Sequence, residues 1–89
     1  MNAPEVIQPQ RRCYGAIIAL SVDARNPAWM FVGFRHGEDI ENYEVPDLDL
    51  YALLSRYLLS AARARLAGVQ DRELTIWREK DGSWQVESE

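Results

Sequence analysis

Residues 46–68 read PDLDLYALLSRYLLSAARARLAG, and the rest of the chain is arranged around them. Asp47 follows Pro46 at the start, where a carboxylate can accept from free backbone N–H groups at an N-cap. Asp49 sits near the positive end of the helix dipole, and Arg63 and Arg65 near the negative end. Gly68 supplies the stop. The pattern predicts a single helix over 47–67.

Projected at the helical period of about 3.6 residues, Leu48, Leu50, Tyr51, Leu53, Leu54, Tyr57, Leu58, Leu59, Ala61, Ala62 and Leu66 fill one continuous sector. That sector spans roughly two-thirds of the circumference, against the roughly 100° stripe that suffices for a surface helix. One sheet face covers about half of a helix, which leaves Tyr51, Leu59 and Leu66 on the flank or outer side. These three are the expected apolar contact residues for a second molecule, a twin in an isologous dimer or a different protein, with cover by the N-terminal segment or the Trp84 hairpin of the same chain as the alternative. Arg65 falls inside the same sector. It is read as snorkelling at the helix end, with a buried ion pair as the alternative.

Upstream of the helix, 13–22 (CYGAIIALSV) carries small and β-branched residues on both alternating faces, as a central strand does. Asp23 to Pro27 has turn chemistry, and 29–36 (WMFVGFRH) reads as an antiparallel neighbour. Gly33 within it marks a bulge or a close approach. A turn at His36-Gly37-Glu38-Asp39 leads into a short polar strand over 40–45, suited to a sheet edge. Downstream, 72–79 and 84–87 form a hairpin around the Asp81-Gly82 turn signal, with Trp77 expected opposite Trp84. The expected fold is α+β: a single helix packed across a mostly antiparallel β-sheet, in the order β-β-β-α-β-β. Residues 1–10, with Pro4 and Pro9, are expected to be a flexible lead-in to one domain over 11–89.

A chain of 89 residues buries roughly 64% of its unfolded surface, enough for one core. With 47% hydrophobic and 27% charged residues the composition is that of a globular protein and excludes wholesale disorder. A single cysteine excludes a disulfide scaffold, and no apolar run approaches the roughly 18 residues of a membrane span. The N-terminus has neither the basic start nor the apolar stretch of a signal peptide, so a cytoplasmic location is expected.

The net charge of −4 is unevenly placed. Residues 36–50 hold Glu38, Asp39, Glu41, Glu44, Asp47 and Asp49 with no Lys or Arg. The longest basic block is Arg11-Arg12, too short to neutralise a phosphate backbone, so direct nucleic-acid binding is not expected. Glu38, Asp39, Glu41 and Glu44 point to a basic patch on a protein partner. The simpler reading of the same acids is a solvated loop.

No catalytic motif is present. Cys13, beside Arg11 and Arg12, has the neighbours of a nucleophile or redox sensor, but as an isolated thiol it is read as core packing. His36 is read as solvated, with general-base chemistry through Glu38 or Asp39 as its alternative. One Cys and one His fall short of a zinc ligand set, and Asp39, Glu41, Asp47 and Asp49 lack the calcium-loop spacing, so no metal or cofactor is expected. Trp29, Trp77 and Trp84 are read as packing residues, with an interface anchor as the alternative.

The expected function is a small acidic, non-enzymatic protein-binding module. It would act as an inhibitor, adaptor or regulatory subunit of a larger protein or protein–nucleic-acid complex. In general build, and on no matching residue, it is similar to phage-type inhibitors. The alternatives are a self-associating homodimer, or a ligand-binding domain or enzyme with a pocket between helix and sheet that uses His36, Tyr43 or Cys13.

Overall fold

A computed structural model describes residues 4–89 as one helix and a six-stranded sheet, an α+β fold. The strands are β1 (Glu5–Val6), β2 (Arg12–Val22), β3 (Met30–His36), β4 (Asp39–Val45), β5 (Leu74–Arg78) and β6 (Trp84–Ser88), with α1 (Leu48–Leu66) between β4 and β5. Their order across the sheet is β1-β4-β3-β2-β5-β6. The sheet is mixed, which corrects the expected topology: β1 runs parallel to β4, while the other pairs are antiparallel.

The added strand lies within the expected lead-in, whose first three residues are outside the described ones. Glu5 and Val6 pair with Tyr43 and Glu44, and the Ile7 N–H donates to the Glu44 carbonyl at 3.0 Å. Ile7 is then buried in the core, and the Pro9 carbonyl accepts from the Arg78 N–H at 2.9 Å. Burial of Ile7 orders this segment; a two-residue strand carries no periodicity that could announce it.

The helix begins as its sequence dictates. Asp47 accepts from the Leu50 N–H at 2.9 Å through one oxygen, and its other oxygen accepts from the Trp84 indole at 2.9 Å. One carboxylate thus caps α1 and ties its start to β6. Leu50 and Leu54, one turn apart, are fully buried, and Tyr51, Leu53, Tyr57, Leu58 and Ala61 pack beside them. They meet Ile17, Val32, Phe34, Tyr43, Val45 and Ile76 of the sheet in one core.

β2 departs from regular alternation twice. Its register shifts between Cys13 and Gly15 against β5, and between Ile17 and Ala19 against β3. Each shift is a bulge that moves the inward phase by one residue, so Tyr14, Ile17 and Leu20, three apart, all pack on the core. Cys13 stays outside and is exposed, which corrects its reading as a core residue. A single helix covers only one side of the sheet. Gly33 lies opposite the second bulge, as a close-approach glycine should: a Cβ there would lie 3.1 Å from Asn42 Oδ1.

The β5–β6 hairpin also corrects an expectation. Glu79 and Ser83 close a three-residue loop through Glu79 N–H to the Ser83 carbonyl at 2.8 Å, with Gly82 at φ 90°. That loop sets Trp84 opposite Arg78 and Trp77 opposite Gln85, so the two tryptophans take opposite faces. Trp84 is buried, while Trp77 lies under the Arg11 guanidinium at 4.0 Å.

Gly15 is the tightest point of the fold. Its φ is 114°, and a Cβ there would sit 2.5 Å from the Arg35 carbonyl oxygen. Gly68 has φ 74° with open space around it. Gly15→Ala is expected to lower unfolding free energy by about 2–4 kcal/mol, and Gly68→Ala by only about 1 kcal/mol. Urea denaturation of both variants checks the difference, and equal losses would contradict it.

Candidate functional site

Three regions outside the core bring chemically distinctive side chains together. The first is the β3–β4 hairpin. Gly37, at φ 65°, and Glu38 form its two-residue loop, and Asp39 pairs with His36. Among the described residues, β1 pairs with β4 only at Tyr43 and Glu44, and no strand pairs with residues 39–42 on that side. Glu38, Asp39 and Glu41 are exposed along it, as is Ile40 at 62%. Among the described residues, no Lys or Arg pairs with Glu38, Asp39, Glu41, Glu44 or Asp49.

Two of these acids have structural duties. Glu44 is half-buried and accepts from the Trp29 indole at 2.6 Å. Glu41 accepts from the Tyr43 hydroxyl at 2.6 Å, while Arg12 donates to the same hydroxyl at 3.1 Å. Burial, followed by the hydrogen bond to Glu41, pushes Tyr43 up to about 12. Glu38 and Asp39 are therefore the acids most available to a partner.

The second region is the outer face of α1. Leu48, Ala52, Ser55, Leu59, Ala62 and Leu66 are all exposed and follow one another at alternating spacings of four and three. This is a heptad seam with small residues between leucines, lying on the side of the helix away from Leu50 and Leu54. Leu59 is 54% exposed and Leu66 91%. Tyr51, the third expected contact residue, is half-buried and packs against the core at the margin of this face.

The third region joins β2, β3 and the residue before β5. His36 Nδ1 lies 2.9 Å from Glu73 Oε2, and the Cys13 sulfur lies 3.6 Å from the same oxygen. The three ligating atoms fall within 4.8 Å of one another. Gly15 makes this possible, since a side chain there would strike the Arg35 carbonyl and the His36 Cβ. His36 is exposed, as expected, but its imidazole meets the Glu73 carboxylate and not that of Glu38 or Asp39. Partial burial of the sulfur and the nearby Glu73 carboxylate push the Cys13 thiol up, against thiolate nucleophilicity at neutral pH. Glu73 escaped sequence reasoning because only long-range pairing brings it to Cys13, sixty residues away.

Arg65 reaches from the helix end as expected and stays exposed, and its ion pair is with Asp71 of the loop before β5, not a buried one. Its Nε donates to Asp71 at 2.8 Å and its Nη2 to the Ile17 carbonyl at 2.6 Å, while Arg35 meets the other Asp71 oxygen at 2.7 Å. The helix C-terminus is thereby fixed to β2 at the second bulge. Beside this network a groove of about 400 Å³ runs between α1 and β5, lined by Tyr57, Ala61, Ala64, Asp71 and Leu74. Two of its polar groups are already engaged, Asp71 by two arginines and Tyr57, which donates to the Val86 carbonyl at 3.1 Å, while Gln70 and Arg72 also line it. His36, Tyr43 and Cys13 do not line it. Among the described residues, no helix is long and apolar enough to cross a membrane.

The Tyr43 environment yields an alkaline prediction. In the unfolded chain Tyr43 ionises near 10, and in the folded chain near 12. Between those values the unfolded state has lost the proton that the folded state keeps, so folding stability falls as pH rises through this window. Ultraviolet titration of the phenols, with Tyr43→Phe as control, is expected to show the highest step disappear in the variant. Retention of that step would contradict the assignment.

Comparison with protein families, with curated proteins and with solved structures gives no match.

Proposed function

We propose that this chain is a small non-enzymatic binding module that docks a larger protein, or a protein–nucleic-acid complex, carrying a basic patch. In this reading it works as an inhibitor, adaptor or regulatory subunit. The supporting observation is the unneutralised acidic edge: Glu38, Asp39 and Glu41 stand exposed on an open strand with no cationic partner among the described residues. Exposed like charges favour a complementary patch and speed encounter with it. An open strand edge adds backbone donors and acceptors to the contact.

The cleanest test reverses Glu38 and Asp39 to lysine, because Glu41 and Glu44 also hold Tyr43 and Trp29. A tagged chain is used to capture partners from lysate of its source cells at physiological salt, beside the double variant. The expected result is a captured protein with a basic surface, lost at least about ten-fold on reversal and weakened by added salt. Capture that is indifferent to both reversal and salt would remove the acidic edge from the proposal.

The heptad seam favours a second reading, self-association through α1. Two helices packed antiparallel about a two-fold axis set Leu48 of one copy near Leu66 of the other. Asp49 then lies toward Arg63 of the second copy, and the helix dipoles oppose. Each leucine so buried contributes about 1.5–3 kcal/mol. Light scattering is expected to give twice the chain mass, returning to one chain mass in Leu59→Glu with unchanged circular dichroism. A single-chain mass at high concentration would end this reading.

A further inference from the structure

We propose that Cys13, His36 and Glu73 form a binding site for one zinc-class divalent cation per chain, with water as the fourth ligand. The inference goes beyond the docking proposal and rests on separate residues.

The three side chains supply a thiolate, an imidazole and a carboxylate, a donor mixture that zinc accepts in sites with three protein ligands and one open position. Ladder pairing holds the backbones of Cys13 and His36, and the Glu89 N–H donates to the Glu73 carbonyl at 3.1 Å. Cys13 sits on β2 opposite Thr75, His36 ends β3, and Glu73 precedes β5.

Tetrahedral zinc, with bonds of about 2.3 Å to sulfur and about 2.0–2.1 Å to nitrogen or oxygen, needs sulfur–oxygen separations of about 3.6 Å and nitrogen–oxygen separations of about 3.4 Å. The Cys13 sulfur lies 3.6 Å from Glu73 Oε2, and His36 Nδ1 lies 2.9 Å from it. All three atoms lie within 4.8 Å of one another, so rotamer adjustments of an ångström or so complete the geometry. Exposure of Cys13 and His36 gives the ion and its water an entry path.

A pair of residues without Glu73 would not carry this proposal, and neither would the thiol alone. The structure adds the third ligand that the sequence lacked.

The test uses the full reduced chain and cobalt(II) as a spectroscopic probe. Expected are a thiolate-to-cobalt charge-transfer band and strong tetrahedral visible bands that saturate at one ion per chain and are reversed by zinc. His36→Asn and Glu73→Gln, both at exposed or half-buried side chains, are each expected to weaken binding by at least about ten-fold. A measurement on the unaltered chain stands beside the variants: saturating zinc should slow alkylation of Cys13 by at least about ten-fold. Absence of the bands, affinity unchanged in either variant, half an ion per chain, or an alkylation rate indifferent to zinc would each overturn the site.

Discussion

At Gly15 the carbonyl oxygen of Arg35 lies 2.5 Å from the place where a Cβ would stand, and β2 passes there only because none is present. The strand is central, hydrogen-bonded to β5 through its first residues and to β3 through the rest. A register shift interrupts each pairing, between Cys13 and Gly15 against β5 and between Ile17 and Ala19 against β3. Each bulge shifts the inward phase by one, which brings Tyr14, Ile17 and Leu20 to one core and leaves Cys13 outside. The same close approach sets His36 beside Cys13 and Glu73.

The second bulge also governs the helix. The Ile17 carbonyl beside it accepts from Arg65, whose guanidinium also holds Asp71. At the other end Asp47 caps the helix and accepts from the Trp84 indole. Held at both ends, α1 has a fixed rotation about its axis. Leu50 and Leu54 therefore face the sheet, and Leu48, Leu59 and Leu66 face outward. The outward leucines follow from how the helix is clamped, and that orientation underlies the self-association reading. The acidic edge has a different origin: among the described residues, β1 pairs with β4 only at Tyr43 and Glu44, beyond the acids at 38, 39 and 41.

Local signals were legible in the sequence and long-range ones were not. The helix could be read almost to the residue because Asp47, Asp49, Arg63, Arg65 and Gly68 all serve its own termini. The β3–β4 hairpin could be read from Gly37, and the outward position of Leu59 and Leu66 from angular projection. β1 could not be read, since two residues have no period and Ile7 acts only through burial in a distant core. The tryptophan pairing failed by one residue because loop length sets register parity, and three loop residues put Trp77 and Trp84 on opposite faces. Cys13 was misplaced because period-two reasoning assumes an unbroken strand. Glu73 and Asp71 carry no local signal in the sequence, and only the fold brings Cys13, His36, Arg35 and Arg65 to them.

The broken alternation of β2 is what the core, the cysteine–histidine–glutamate cluster and the helix clamp share. Cross-strand nuclear Overhauser contacts between backbone protons test it most directly. The structure requires Cys13 opposite Thr75 but Gly15 opposite Leu74, and Ile17 opposite Phe34 but Ala19 opposite Gly33. Contacts that pair Tyr14 with Leu74 and Ile18 with Gly33 would describe an unbulged strand, and would contradict the outward placement of Cys13 and the inward phase of Tyr14, Ile17 and Leu20.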